Sequence, residues 1–132
     1  MRHTMKISTP IRALMISACL VSSLPFNAWA SGDIKKGADV FAGQCNACHS
    51  TLPGKTKIGP PLFGVLGRKA GSIQDFMYSE AMKGIGFTWT PDMLDAYIAH
   101  PKKVVPGNRM PFNGLDDAAA RADLVAYLQS LK

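Results

Sequence analysis

Apolar positions recur at helical spacing in three stretches of the chain, and the ground between them is broken by proline and glycine. The first stretch, roughly 34 to 46, carries Ala38, Phe41 and Ala42, the three-to-four-residue recurrence of one helix face. Asp33 stands before it as a cap. Gly37 lies one turn before Phe41. Glycine inside a helix costs stability, so the close approach of another backbone is the expected compensation. The second stretch opens with Thr90-Pro91-Asp92: a cap, proline at the first helical position and an acid in the first turn. It runs to about His100 and stops before Pro101. Leu94, Tyr97 and Ile98 share a face, so Tyr97 points inward and its hydroxyl needs a partner. The third stretch, about Asp117 to Leu131, is capped by Asp116 or Asp117 and repeats Leu124, Tyr127, Leu128 and Leu131. It is long enough to pack across the first, with Leu124 and Tyr127 opposite the gap at Gly37. A shorter helix near 79 to 84 is capped by Ser79, whereas Ser72 and Asp75 form only a weak capping box.

Residues 50 to 71 are too irregular for a long helix or a strand, with Leu52-Pro53-Gly54, Gly59-Pro60-Pro61-Leu62-Phe63-Gly64 and Gly67-Arg68-Lys69-Ala70-Gly71 following one another. A loop of that length in a small domain usually has something to wrap. A second irregular stretch, Pro101 to Phe112, holds two prolines and a glycine before Met110 and reads as a stiff extended loop. Such a loop suits delivery of the Met110 thioether to a fixed place. Met77, Met82 and Met93 read as core filler, with Met93 a weaker rival to Met110. His100, at a helix C-terminus, reads as a surface histidine.

Composition changes the picture mainly at the N-terminus. Arg2, His3, Lys6 and Arg12 make a basic start, Ala13 to Leu24 is mostly apolar, and Ala28-Trp29-Ala30 supplies small residues at the right spacing for cleavage after Ala30. Residues 1–30 therefore read as a signal peptide and 31–132 as one domain. The apolar run is short and interrupted beside the roughly 20 residues of a membrane span. Cys19 lies inside the leader. Ile16-Ser17-Ala18-Cys19 resembles a lipobox, and a lipid anchor or a retained tether are the alternatives to cleavage. The formal charge of +6 falls by three when Arg2, Lys6 and Arg12 are removed. That mild basic excess suits an acidic protein partner. It is too weak to argue for nucleic acid, and no interleaving of basic and aromatic residues supports one.

The candidate chemistry lies in Cys45-Asn46-Ala47-Cys48-His49. C-x-x-C-H is the spacing of covalent c-type haem attachment: each thiol adds to one vinyl group, and the adjoining imidazole reaches iron from the proximal side. C-x-x-C also occurs in redox dithiols and in halves of zinc sites. The first would want a preceding strand in a βαβ unit, and the second a further pair of ligands at short spacing; neither is visible. Pro60 lacks an N–H, so its own carbonyl or its neighbour's is a candidate to hold the His49 Nδ1–H, the alternative being a plain turn proline. Tyr78 and Trp89 are polar-tipped aromatics suited to stand against a haem and donate to a propionate, Trp89 in an apolar core being the alternative. With so short a chain the haem would complete the core, and the haem-free protein should be poorly folded.

Taken together, Cys45-x-x-Cys48-His49, Gly59-Pro60, Gly67-Arg68-Lys69, Trp89, Tyr97, Pro101-Lys102-Lys103 and Pro106-Gly107-Asn108-Arg109-Met110 resemble the class I cytochromes c, most closely the mitochondrial and alphaproteobacterial branch, in order over nearly all of residues 32 to 131. The resemblance implies an all-α fold with crossed N- and C-terminal helices and loops wrapping one covalent haem. It implies His49 and Met110 as axial ligands and Cys45 and Cys48 as attachment points, with Pro60 orienting His49. Arg68, Tyr78, Trp89 and Asn108 would surround the propionates and the distal loop. Tyr97 would stand on the Met110 side and Phe112 near the exposed haem edge. Lys102, Lys103 and Arg109, with Lys57, would form a basic docking rim. Three departures stand out. Met82 replaces a polar asparagine often found in the distal network, Asn108 replaces threonine, and the segment from Cys45 to Gly59 is one residue shorter than the vertebrate pattern. The leader points to a Gram-negative periplasm rather than a mitochondrion.

The expected function is one-electron transfer by a monomeric carrier, not an enzyme. Two fixed ligands keep reorganisation small and leave no open site. A quinol:cytochrome c reductase and a terminal oxidase or other reductase are the partners the resemblance implies. The rivals are a haem enzyme or gas-binding sensor with a labile distal methionine, and a dedicated subunit of a larger oxidoreductase.

Overall fold

The computed structural model describes residues 32–132. The leader, the cleavage after Ala30 and the alternatives at Cys19 lie outside the described residues. Five helices follow in chain order: α1 (Ile34–Gln44), α2 (Glu80–Gly84), α3 (Pro91–Ala99), α4 (Pro101–Val104) and α5 (Ala118–Ser130). Among the described residues the only extended pairing is an isolated antiparallel bridge between Lys69 and Thr88.

Each main helix starts where a side chain satisfies orphan N–H groups. The Asp33 carboxylate accepts from Lys35 N and Lys36 N, the Ser79 hydroxyl from Met82 N, Thr90 from Met93 N and Asp117 from Ala119 N and Ala120 N. α1 ends at Gln44 with Cys45 as its cap, two residues earlier than expected, so the cysteine pair lies on the turns after the helix. Ala42 is exposed and Val40 takes its place against the core.

α1 crosses α5 at the glycine. A Cβ on Gly37 would lie 2.0 Å from the Asp123 carbonyl oxygen and 2.7 Å from Tyr127 Cβ, so only a residue without a side chain lets the backbones approach this closely. Phe41 and Tyr127 meet across the same crossing as a tilted aromatic pair with ring centroids 5.7 Å apart. Asp123 also accepts from Asp33 N at 2.6 Å, tying the start of α1 to the middle of α5. α3 is joined to α5 by Arg121, whose Nε is 2.8 Å from Asp95 Oδ1 and whose Nη1 donates to the Leu115 and Asp116 carbonyls. The core runs from this crossing through Leu124 and Leu128 to Leu94, Trp89, Tyr97, Val65 and the fully buried Val105.

Two expectations need correcting. Pro101 to Phe112 is not extended throughout, because Pro101–Val104 forms α4. Pro101 ends α3 through its effect on His100 and at once occupies the first position of the next turn, where a missing N–H costs nothing. Met77 is not core: it is 83% exposed, whereas Met82 is buried and Met93 packs against the core. The segment from Ser72 to Tyr78 forms turns and no helix, and a methionine in it has no apolar face to join.

Candidate cofactor site

The cysteine motif is built by two local bonds and one cross-loop bond. Cys48 N and His49 N both donate to Cys45 O, at 3.0 and 2.9 Å, coiling the five residues into a single turn. Gly59 N donates to Cys48 O at 2.7 Å and Leu62 N to Ser50 O at 2.8 Å, which folds the following loop back over the motif. Lys57 Nζ donates to the Asn46 carbonyl and to Asn46 Oδ1, closing the same loop from outside.

That return loop cradles His49. The ring Nδ1 lies 2.8 Å from the Pro60 carbonyl oxygen. A carbonyl only accepts, so Nδ1 carries the proton and Nε2 keeps its lone pair. A Cβ at Gly59 would lie 2.4 Å from His49 Cε1 and 2.7 Å from Nδ1, so the ring sits directly against bare backbone. Burial lowers the His49 pKa, the Pro60 carbonyl works against that, and the nearby Lys57 charge lowers it further. The imidazole is therefore neutral at neutral pH, the form in which histidine binds metals. Pro60 was legible as a partner for His49, but Gly59 as its backing was not. The signal available was a glycine directly before that proline.

Cys45 and Cys48 are both partly buried free thiols. Burial, with Cys48 close by, pushes the Cys45 thiol up to about 11. A thiolate nucleophile is favoured by a lowered thiol pKa, and the shift at Cys45 runs the other way. Among the described residues no group of three His, Cys, Asp or Glu side chains is placed to hold a metal ion.

On the far side, a short ladder sets the aromatics. Gly67 N donates to Trp89 O, Trp89 N to Arg68 O and Ala70 N to Phe87 O. Phe87, Trp89 and Tyr97 then form a row, with centroids 4.7 and 5.1 Å apart. The Tyr97 ring is buried, and burial alone pushes its phenol up to about 12. Arg68 donates to the Pro61 and Phe63 carbonyls at 2.8 and 3.1 Å, framing the loop rather than standing free. Tyr78 is partly buried, and burial raises its pKa despite the neighbouring Arg68 charge. Phe112 is partly buried and Met110 packs, half-buried, against the core. Asn108 fixes the approach to Met110: its Nδ2 donates to the Pro101 and Val105 carbonyls, both at 2.9 Å, and its Oδ1 accepts from Met110 N at 3.0 Å.

The residues present fit a covalently held haem. Two unpaired thiols stand next to a neutral imidazole held by its Nδ1 side, over a glycine cradle that any Cβ would fill. Trp89 and Tyr97 are both buried in the apolar core, the kind of aromatic surroundings against which a planar macrocycle packs. Lys102 and Lys103 are exposed on α4 and border a surface hollow with His100 and Asn113. His100 is an exposed helix cap, not part of the site. No helix among the described residues is long and apolar enough to cross a membrane.

Comparison with known proteins agrees with this geometry. The family model described as cytochrome c matches residues 34–132. The chain is 46% identical over 101 residues to a protein named cytochrome c2 from Rhodopila globiformis, covering 76% of this chain and 95% of that one. It is 46% identical over 119 residues to cytochrome c2 of Rhodomicrobium vannielii, covering 89% of this chain and 93% of that protein. Among solved structures, cytochrome cH from Methylobacterium extorquens superposes with a TM-score of 0.70 at 41% identity, over 75% of this chain and 99% of that one. The chain belongs to the cytochrome c family: it is a small all-α class I cytochrome that carries single electrons on a covalently bound haem c between transient protein partners, and it is a carrier rather than an enzyme.

Proposed function

We propose that Cys45 and Cys48 hold the haem by thioether bonds, that His49 Nε2 and Met110 Sδ are its two axial ligands, and that the protein works in a Gram-negative periplasm after cleavage near Ala30, leaving 31–132 as the mature domain. Bound haem supplies the chemistry, one electron gained or lost at iron. Everything else falls to the chain. The observation that carries the reading is the His49 cradle: an Nδ1–H held by Pro60 at 2.8 Å makes the opposite nitrogen a fixed, more basic donor.

Asn108 holds the Met110 backbone, so the thioether arrives on a loop already ordered. A soft neutral ligand paired with histidine raises the potential and keeps the coordination the same in both oxidation states. Trp89 and Tyr78 donate toward the propionates, Arg68 keeps the surrounding loop in shape, Tyr97 bonds on the distal side and Phe112 shields the exposed edge. Lys102 and Lys103, with the charge of Arg109, steer an acidic partner to that edge. A quinol:cytochrome c reductase as donor and a terminal oxidase or reductase as acceptor suit such a carrier, by analogy with the family. The basic, apolar leader with Ala28-Trp29-Ala30 supports export, and the likeness to the Rhodomicrobium protein reaches back into that segment.

The test is the optical spectrum of the matured protein and of three variants, M110A, M77A and M93A. The weak far-red sulfur-to-iron band should be present in the wild type, lost only in M110A, and accompanied there by a lower potential and by carbon monoxide binding. A band that survives in M110A, or that disappears in M77A, overturns the ligand assignment.

A further inference from the structure

Three asparagines lie among the described residues, Asn46, Asn108 and Asn113. Two of them are tied. Asn46 Oδ1 accepts from Lys57 Nζ at 3.0 Å. Asn108 has both ends of its amide in use, Nδ2 on the Pro101 and Val105 carbonyls and Oδ1 on Met110 N. Asn113 is exposed, and it alone of the three makes no side-chain hydrogen bond among the described residues. It is also the one followed by glycine, and the fold requires that glycine. Gly114 has a φ of 116°, and a Cβ there would lie 2.1 Å from the Ala99 carbonyl oxygen. Leu115 N donates to Ile98 O at 3.0 Å, which pins the chain just beyond it. Gly114 N itself donates to no backbone acceptor among the described residues. Packing against the end of α3 thus places an unbonded amide, with no side chain over it, directly after an unbonded carboxamide.

We propose that Asn113 is a site of spontaneous deamidation, and that the carboxylate it becomes lowers the positive charge of the surface that Lys102 and Lys103 present. The consequence rests on the reading of those lysines as docking charges. Gly114 N gives its proton to solvent base and attacks Asn113 Cγ. The new N–Cγ bond closes a five-membered succinimide. The Cγ–Nδ2 bond breaks, and Nδ2 takes a proton from water and leaves as ammonia. Water then opens the ring at either carbonyl. One opening gives aspartate and the other isoaspartate, whose main chain is longer by one methylene. One water enters and one ammonia leaves, with no change of oxidation state. Asn46 and Asn108 precede Ala47 and Arg109, whose side chains hinder the same attack. Asn113 lines one surface hollow with His100, Lys102 and Lys103. The new negative charge therefore appears beside the two lysines and offsets part of their attraction for an anionic partner. Because the fold holds glycine at 114, only a change at 113 removes the susceptibility.

Peptide mapping by mass spectrometry of the ferric holoprotein, kept for weeks in mildly alkaline buffer, tests the site. Labelling by an isoaspartyl methyltransferase counts the isoaspartate product. The mass gain of one dalton should fall on Asn113 roughly tenfold or more ahead of Asn46 and Asn108, whose amides must first break hydrogen bonds. N113Q, whose longer side chain closes the ring poorly, should stay unchanged. The consequence is read as the rate at which ferricyanide, an anionic probe, oxidises the ferrous protein. At low ionic strength, aged wild type and freshly made N113D should both be slower than fresh wild type by roughly two- to threefold, and added salt should remove the difference. Aged N113Q should match fresh N113Q. An Asn113 that stays intact, or changes no faster than Asn46 and Asn108, overturns the site. Protein that is modified at Asn113 yet keeps the fresh rate overturns the consequence. If K102E/K103E leaves the ferricyanide rate as it was, the docking reading fails, and the map of modified asparagines still decides the site by itself.

Discussion

Substituting Gly37 by alanine tests the crossing on which the core depends. The added methyl would meet the Asp123 carbonyl oxygen at 2.0 Å, its carbon at 2.6 Å and Tyr127 Cβ at 2.7 Å. Ordinary contact starts near 3.4 Å, so α1 and α5 must part by more than about 1 Å. The obstacle is main chain inside a helix and cannot rotate aside. Parting the helices loosens the Phe41–Tyr127 contact and the packing of the buried Leu124 and Leu128 of α5. Overpacking of a core costs about 1–3 kcal/mol, and a rigid obstacle puts this case at the upper end. Alanine's better helix propensity returns up to about 1 kcal/mol. The net loss should be about 2 kcal/mol, or a fall of roughly 8–16 °C in Tm for a domain of this size. Gly43 in the same helix supplies the control, since a Cβ there meets nothing within 4 Å. G43A should be neutral or stabilising by up to about 1 kcal/mol. Thermal and guanidinium unfolding of the holoproteins, followed by circular dichroism, gives both values. A G37A protein within about 0.5 kcal/mol of wild type, or equal shifts in the two variants, would refute the reasoning, because the effect would then be one of propensity and not of a tight crossing.

Two further tests concern electrostatics. Burial raises the Tyr97 phenol from 10.0 to about 12, so the folded protein keeps a proton that the unfolded chain releases. That contribution is fully present below pH 10 and is lost as pH rises through the window from 10 to 12, by at most about 2.7 kcal/mol. Guanidinium midpoints measured across this window should fall less steeply in Y97F; parallel curves would show that Tyr97 is not the group responsible. Reversing the two exposed charges of α4 in K102E/K103E should slow reduction by an acidic redox partner about tenfold or more at low ionic strength, with the difference shrinking as salt is added. A stopped-flow rate indifferent to both charge and salt would remove the docking rim.

What the sequence determined by itself is what a few neighbouring residues decide. The turn of Cys45 to His49 is closed by bonds within the motif, so its spacing pointed to the cofactor, and the rest of the chain's motifs narrowed the choice. The caps at Asp33, Ser79, Thr90 and Asp117 bond to amides two or three residues on, which is why the helix starts were legible to within a residue. The periodic faces of α3 and α5 were legible for the same reason, and Gly37 could be read as a crossing because a glycine amid helix formers needs a cause. Tertiary structure decided whatever depends on segments distant in sequence. Met77 and Met110 are chemically identical and both lie in irregular chain, yet Met77 is 83% exposed and Met110 packs against the core. The prolines and glycine before Met110 marked its loop, but nothing local announced that Met77 would be exposed, because burial is set by what other segments bring alongside. Arg109 read as one more surface charge until the fold brought the Met77 and Tyr78 carbonyls within its reach. Gly59 read as a turn residue until the return loop laid it against the His49 ring. Pro101 read only as the end of α3, and the structure shows that it also opens α4, with the buried Pro101 and Val105 holding that turn against the core. Caps and turns are short-range and nearly independent of one another, whereas packing choices sum many small contacts that exist only once the chain has closed around its core.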